Sequence, residues 1–176
     1  MNWYRPIIEA DNYDGLVCIN REDAVFVSNF NRDWYRYRKN VEWKKILVET
    51  YSEEQVGDFP SFIAQELVFN ERAWQVIQPL IATSVEPLPL ICKDGKQYIT
   101  LKILDLVDCL DYSRSVYRQS AGGFIQIDLY FFHEQMIAGK DIFWLSKAYH
   151  TVVSQKFKNI IEENKLKGLS FRKLCG

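Results

Sequence analysis

The sequence predicts an α+β fold: one domain, mainly antiparallel sheet, with two main helices. Three observations carry this. A β-hairpin is centred on Asp94-Gly95, residues 123–132 alternate apolar and polar, and two segments each set a capping residue before an amphipathic helix. Strands and helices do not alternate regularly, which argues against a doubly wound parallel sheet.

The elements follow in chain order. "KKILVETY", residues 44–51, is a short strand candidate rich in β-branched and aromatic residues. "VFNERAWQVIQPLI" predicts a helix over about 71–82. Asn70 is its N-cap, Trp74, Ile77 and Ile81 form the apolar stripe, and Pro79 kinks or shortens it. "PLICKDGKQYITLKIL", residues 89–104, is the hairpin. Asp94 and Gly95 both tolerate positive φ, as a two-residue type I′ turn requires. "GFIQIDLYFF", residues 123–132, points Ile125, Ile127, Leu129 and Phe131 one way and Gln126, Asp128 and Tyr130 the other. "VVSQKFKNIIEENKLKG" predicts a second helix over about 155–166, capped by Ser154, striped by Phe157, Ile160 and Ile161, and stopped by Gly168. "GLSFRKL", residues 168–174, closes the chain as a strand. The two helical segments echo each other, each an apolar pair, a cap and a helix, and are read as independent strand–cap–helix units.

Composition sets the class. Hydrophobic residues are 48% of the 176 and charged residues 26%, as in ordinary globular proteins. Aromatic residues reach 15%, more than a core of this size needs, so some are expected at the surface as binding anchors. The net charge of −1 gives no overall bias toward nucleic acid. The N-terminus lacks the pattern of a secretory signal and no run of about 18 apolar residues exists, so a cytoplasmic protein is expected. Cys18, Cys92, Cys109 and Cys175 lie far apart without CxxC spacing and are expected to be free thiols. With no linker or low-complexity stretch, residues 1–176 are read as one domain.

Catalytic motifs are absent: no G-x-G-x-x-G, P-loop, H-E-x-x-H or G-x-S-x-G occurs. His133 and His150, the two histidines, are expected to be surface or capping residues. The richest stretch is "LVDCLDYSRS", residues 106–115. Asp105, Asp108 and Asp111 recur every third residue, a spacing that on a helix gathers carboxylates for a divalent cation. Here they follow a strand arm, which spreads them over about 20 Å. Asp108 and Asp111 are therefore read as pinning a turn into the loop "SRSVYRQSAGG", as are Asp94 and Gly95 in the hairpin, with Cys109 and Leu110 buried. No metal or cofactor is expected.

Charge is uneven. From Ile46 to Glu71 there are six acidic residues (Glu49, Glu53, Glu54, Asp58, Glu66, Glu71) and no Lys or Arg. Just before them, "NRDWYRYRKNVEWKK" carries six basic residues among Trp34, Tyr35, Tyr37 and Trp43. Such blocks steer partners of opposite charge. Trp34, Tyr35, Arg36, Tyr37 and Arg38 also suit single-stranded nucleic acid, though the neutral overall charge and the adjacent acidic block weigh against it.

"LVFNERAWQVIQPLI", "PLICKDGKQYITLKILDLVDCLDYSRS", "GKDIFWL" and "SQKFKNIIEENKLKGLSFRKL", in this order and spacing, resemble bacterial immunity-protein family eleven, formerly a domain of unknown function. The resemblance covers residues 58–174; residues 1–57 match more loosely, through a "WY" strand and a Trp-bearing middle segment. Asn70 departs from the family's usual Ser, and Asn caps equally well. The resemblance implies a protein encoded beside a polymorphic toxin that binds and neutralises it, with no catalytic residues. The expected mechanism is stoichiometric occlusion. Glu49, Glu53, Glu54 and Asp58 are the candidate contacts for a basic toxin, the favoured case, and Trp34 to Arg38 for an acidic one. The alternatives are an enzyme reversing a toxin-made modification, with sites around Asp105, Asp108, Asp111 and His133, and a ligand-binding domain with an aromatic pocket.

Overall fold

The computed structural model describes residues 2–51, 55–63 and 66–174. Two five-stranded sheets dominate them, and pairing is mainly antiparallel, as expected of an α+β fold. In the first sheet β1 (Trp3–Ile8) lies between β12 (Leu169–Lys173) and β11 (His150–Ser154). β10 (Ile142–Leu145) follows β11, and the short β7 (Leu106–Val107) adds a parallel edge. In the second, the order is β2 (Leu16–Cys18), β3 (Ile46–Thr50), β5 (Val85–Cys92), β6 (Gln97–Ile103), β4 (Val68–Asn70), with β3 and β5 parallel. A separate ribbon pairs β8 (Val116–Gln119) with β9 (Ile125–Leu129).

The two strand–cap–helix units fall in different sheets. β4 leads into α2 (Glu71–Ile81), where Asn70 Oδ1 accepts from Ala73 N at 2.8 Å. β11 leads into α3 (Gln155–Glu163), where Ser154 Oγ accepts from Phe157 N at 3.2 Å. Each cap satisfies a backbone donor that the first turn leaves unpaired. Ala73, Ile77 and Ile81 of α2 meet Phe157 and Ile161 of α3 in one buried cluster. Tyr4, Ile142 and Val153 of the first sheet join it, as do Phe69, Val85, Leu101 and Ile103 of the second. The helix pair thus fastens one sheet to the other.

Several local expectations need correction. The hairpin is longer, because β5 begins at Val85 and runs through Pro87 and Pro89. β3 pairs only with Leu90 to Cys92, so both prolines lie where that side of β5 has no partner strand. The turn is not type I′, since Asp94 keeps a negative φ. Gly95 N donates to Cys92 O at 2.9 Å, Cys92 N donates to Lys96 O at 2.8 Å, and Gly95 alone has positive φ, +88°. This is a three-residue loop, a turn followed by a left-handed glycine. The second helix ends at Glu163 rather than 166, because Lys165 turns left-handed at φ +52° before Gly168 is reached. Gly168, φ +100°, serves a close approach instead: a Cβ there would sit 3.0 Å from Phe59 O.

The stretch read as the loop "SRSVYRQSAGG" contains β8, whose four residues are all exposed and so show no burial alternation. Opposite it, Val116 pairs with Leu129 and Tyr117 with Ile127, so Asp128 is an extra residue. Such a bulge flips the side chains beyond it. Ile125 and Ile127 are buried as expected, but Leu129 is exposed and Tyr130 buried. A third helix, α1 (Arg21–Asn31), also escaped the sequence reading; it continues into a wider π-helical turn over Arg32–Arg36. Its buried stripe is Asp23, Val27 and Phe30, and starting on a carboxylate hides the helical period.

Candidate functional site: an aromatic and cationic face around a cavity

The segment "DWYRYRK" divides its side chains between two jobs. Trp34 Nε1 donates to Ile103 O at 2.8 Å. Tyr35 Oη donates to Leu101 O at 3.2 Å and accepts from Ile103 N at 3.0 Å. Both aromatics dock on β6, and Tyr35 stacks on Trp144 at 4.0 Å. Tyr35 is only 8% exposed, so it is not a surface anchor. Lys102, buried against the Trp34 ring, donates to Asn40 Oδ1 at 2.7 Å and Glu86 Oε2 at 2.9 Å. This docking turns Arg36, Tyr37 and Arg38 outward.

The outward residues meet side chains from the other half of the chain. Arg36 lies over the rings of Tyr37, at 5.5 Å, and Phe124, at 5.3 Å. Phe124 packs on Tyr149 at 4.6 Å. Arg38 Nη2 donates to Ser146 Oγ at 3.0 Å. Arg38 and Tyr149 both hold left-handed backbone, at φ +57° and +52°, which costs about 1–2 kcal/mol for a side-chain-bearing residue. The result is a patch of exposed aromatics and guanidinium groups.

Beneath it lies a cavity of about 340 Å³. Arg5, Arg32, Arg36, Phe124 and Tyr149 line it together with Tyr35, Trp144, Asn31, Glu66 and His150. His150 is buried and donates through Nδ1 to Ala148 O at 3.2 Å, since a carbonyl only accepts. Burial, then the nearby Arg5 charge, holds its pKa down to about 4, so the ring is neutral at pH 7. His150 is thus neither a surface nor a capping histidine; His133, by contrast, is exposed. Burial pushes Glu66 up to about 8, opposed by the hydroxyl of Thr100 at 3.3 Å. Its carboxyl is therefore largely protonated at pH 7. The Asn31 Nδ2, Trp144 Nε1 and His150 Nε2 atoms are buried with no hydrogen-bond partner among the described residues.

The acidic block does not form one face. Asp58 is buried, taking Asn70 Nδ2 at 3.0 Å, Arg72 Nη1 at 3.1 Å and Lys167 N at 2.8 Å. Glu66 is in the cavity wall, and half-buried Glu49 faces Lys93 at 3.5 Å. Glu53 and Glu54 lie outside the described residues. Asp105, Asp108 and Asp111, in and just before "LVDCLDYSRS", are each separately engaged. Asp105 pairs with Lys140, Asp108 accepts from Tyr112 Oη and meets Lys147 at 3.1 Å, and Asp111 accepts from Ser113 N at 3.0 Å. Cys109 and Leu110 between them are buried, as expected. In the hairpin Asp94 accepts from Lys96 N at 3.0 Å, and this bonding with the Lys96 ammonium lowers its pKa to about 2. No three His, Cys, Asp or Glu side chains are grouped to hold a metal ion among the described residues.

Sequence reasoning missed Arg5, Asn31, Phe124, Trp144 and Tyr149 as site residues. They come from separate segments with no shared spacing, so no local signal marks them.

The class of protein suggested by the ordered motifs is an immunity protein. The model of the Immunity protein family (Imm11) matches residues 91–175, slightly under half of the chain, and bears out that resemblance. The matched part supplies Phe124, Trp144, Tyr149 and His150; Arg5, Asn31, Tyr35, Arg36 and Glu66 come from outside it. No curated protein matches the chain. No helix among the described residues is long and apolar enough to cross a membrane.

Proposed function

We propose that this protein neutralises a cognate toxin in the cytoplasm by stoichiometric occlusion, without catalysis, and that the aromatic and cationic face makes the contact. The match to an immunity family supports the first part. The observation that carries the second is the exposed cluster of Arg36, Tyr37 and Phe124, where one guanidinium lies over two aromatic rings. Arg and Tyr are the residue types that dominate binding energy at protein interfaces. The partner surface is then acidic, which reverses the preference for the dispersed acidic block.

The test uses the product of the adjacent gene in co-purification and growth rescue. Arg36→Glu with Tyr37→Ala should weaken binding about tenfold or more and abolish rescue, while the melting temperature stays near that of the parent. Glu49→Lys should leave affinity unchanged. Unchanged affinity in the first variant would rule out this face.

A further inference from the structure

Three of the buried polar atoms without partners, on Asn31, Trp144 and His150, belong to residues lining one cavity. Leaving a buried polar group unpaired forfeits its hydration without return, so their grouping requires an explanation. Asn31 and Trp144 offer N–H donors. His150 already uses Nδ1 as donor, so its neutral ring presents Nε2 as an acceptor. Glu66, protonated at neutral pH, adds a donor and an acceptor on the same wall. A complementary occupant therefore carries both donors and acceptors on a rigid edge.

Charge is arranged along the cavity. Arg5, Arg32 and Arg36 line it, and Glu66, the one acidic residue among the described lining, is largely neutral at pH 7 and so offsets little of their charge. Neither Arg5 nor Arg36 has an ion-pair partner among the described residues. Guanidinium groups bind phosphate and carboxylate through paired N–H donors. Tyr35, Trp144 and Phe124 supply apolar walls. A volume of about 340 Å³ is near the lower end of small-molecule sites, which start at roughly 300 Å³.

We infer that this cavity is a binding site for a small organic anion of the mononucleotide class, a flat hydrogen-bonding ring read by Asn31, Glu66 and His150 with its phosphate held by Arg5 and Arg36. This goes beyond toxin neutralisation and does not depend on it.

The experiment is calorimetric titration of the purified full chain, without toxin, against AMP, GMP, CMP and UMP in turn, with inorganic phosphate and benzoate as comparison probes. One mononucleotide should bind at least about tenfold more tightly than phosphate or benzoate. Arg5→Gln and Asn31→Leu should each weaken that binding about tenfold, and the distant Lys93→Ala should not. If Asn31→Leu fails to fold, Arg36→Gln at the same cavity takes its place. Binding of none of the four, binding no tighter than phosphate, or affinity indifferent to these variants would each overturn the assignment. Because the toxin takes no part, failure here leaves the immunity reading standing, and the reverse also holds.

Discussion

His150 and Glu66 face the same cavity and pull stability in opposite directions with pH. His150 has a folded pKa near 4 against 6.5 when unfolded. The unfolded chain binds the proton first, so this contribution is complete above pH 6.5 and is lost as pH falls toward 4, up to roughly 3 kcal/mol. Glu66 has a folded pKa near 8 against 4.5. Here the folded chain binds the proton more tightly, so its contribution is complete below pH 4.5 and is lost as pH rises through 8. Between 4.5 and 6.5 the two slopes cancel. Denaturant unfolding across this range should show a plateau flanked by losses on both sides. Glu66→Gln should remove the alkaline loss and His150→Asn the acid loss. A loss that survives the matching substitution would show that another group causes it.

At the scale of the element, the two caps do more than finish their helices. Asn70 accepts from α2 through Oδ1 and donates through Nδ2 to Asp58. Ser154 accepts from α3 and donates to Asp141. Replacing either by Ala should cost about 1–2 kcal/mol. Asn70→Ser separates the two roles, because the shorter Ser retains the cap through its hydroxyl but lacks the Nδ2 group that reaches Asp58. Thermal melts should place Asn70→Ser between the parent and Asn70→Ala; equal loss in both would mean that the cap contributes nothing. Capping residues were legible in the sequence because the partner lies three residues away. The end of α3 was less so, since a left-handed Lys165 has no compositional mark. α1 was missed because its buried stripe begins with Asp23, which is held by Lys44 at 2.6 Å, a contact formed only in the folded chain.

Across the whole molecule, Asp58 ties the start of α2 to the loop between α3 and β12. It accepts from Asn70, Arg72 and Lys167 N, and its own backbone bonds to both sides: Asp58 N to Lys167 O at 2.8 Å and Asn70 N to Asp58 O at 2.9 Å. Arg72 is more than half exposed, so its charge contributes little; the buried backbone donor matters more. Asp58→Ala should destabilise by about 2–3 kcal/mol and speed amide exchange in the 164–168 loop. Normal exchange there would refute the tie. In the sequence Asp58 was one acid among six, and only folding shows that it is internal.

The sequence by itself determined the α+β class, both capped helices, the hairpin and the immunity-family resemblance. The helices and the hairpin rest on interactions or periodicities within about a dozen residues, and the class and the resemblance on the order of such segments along the chain, which the sequence expresses directly. Tertiary structure alone decided the face and the cavity. Trp34 and Tyr35 bind β6 nearly seventy positions away, at Leu101 and Ile103. That docking sorts one aromatic-basic run into buried anchors and outward contacts, and it closes Arg5, Asn31, Glu66 and His150 around one space. Burial of that space then sets which of its groups carry charge, a property that no single segment contains.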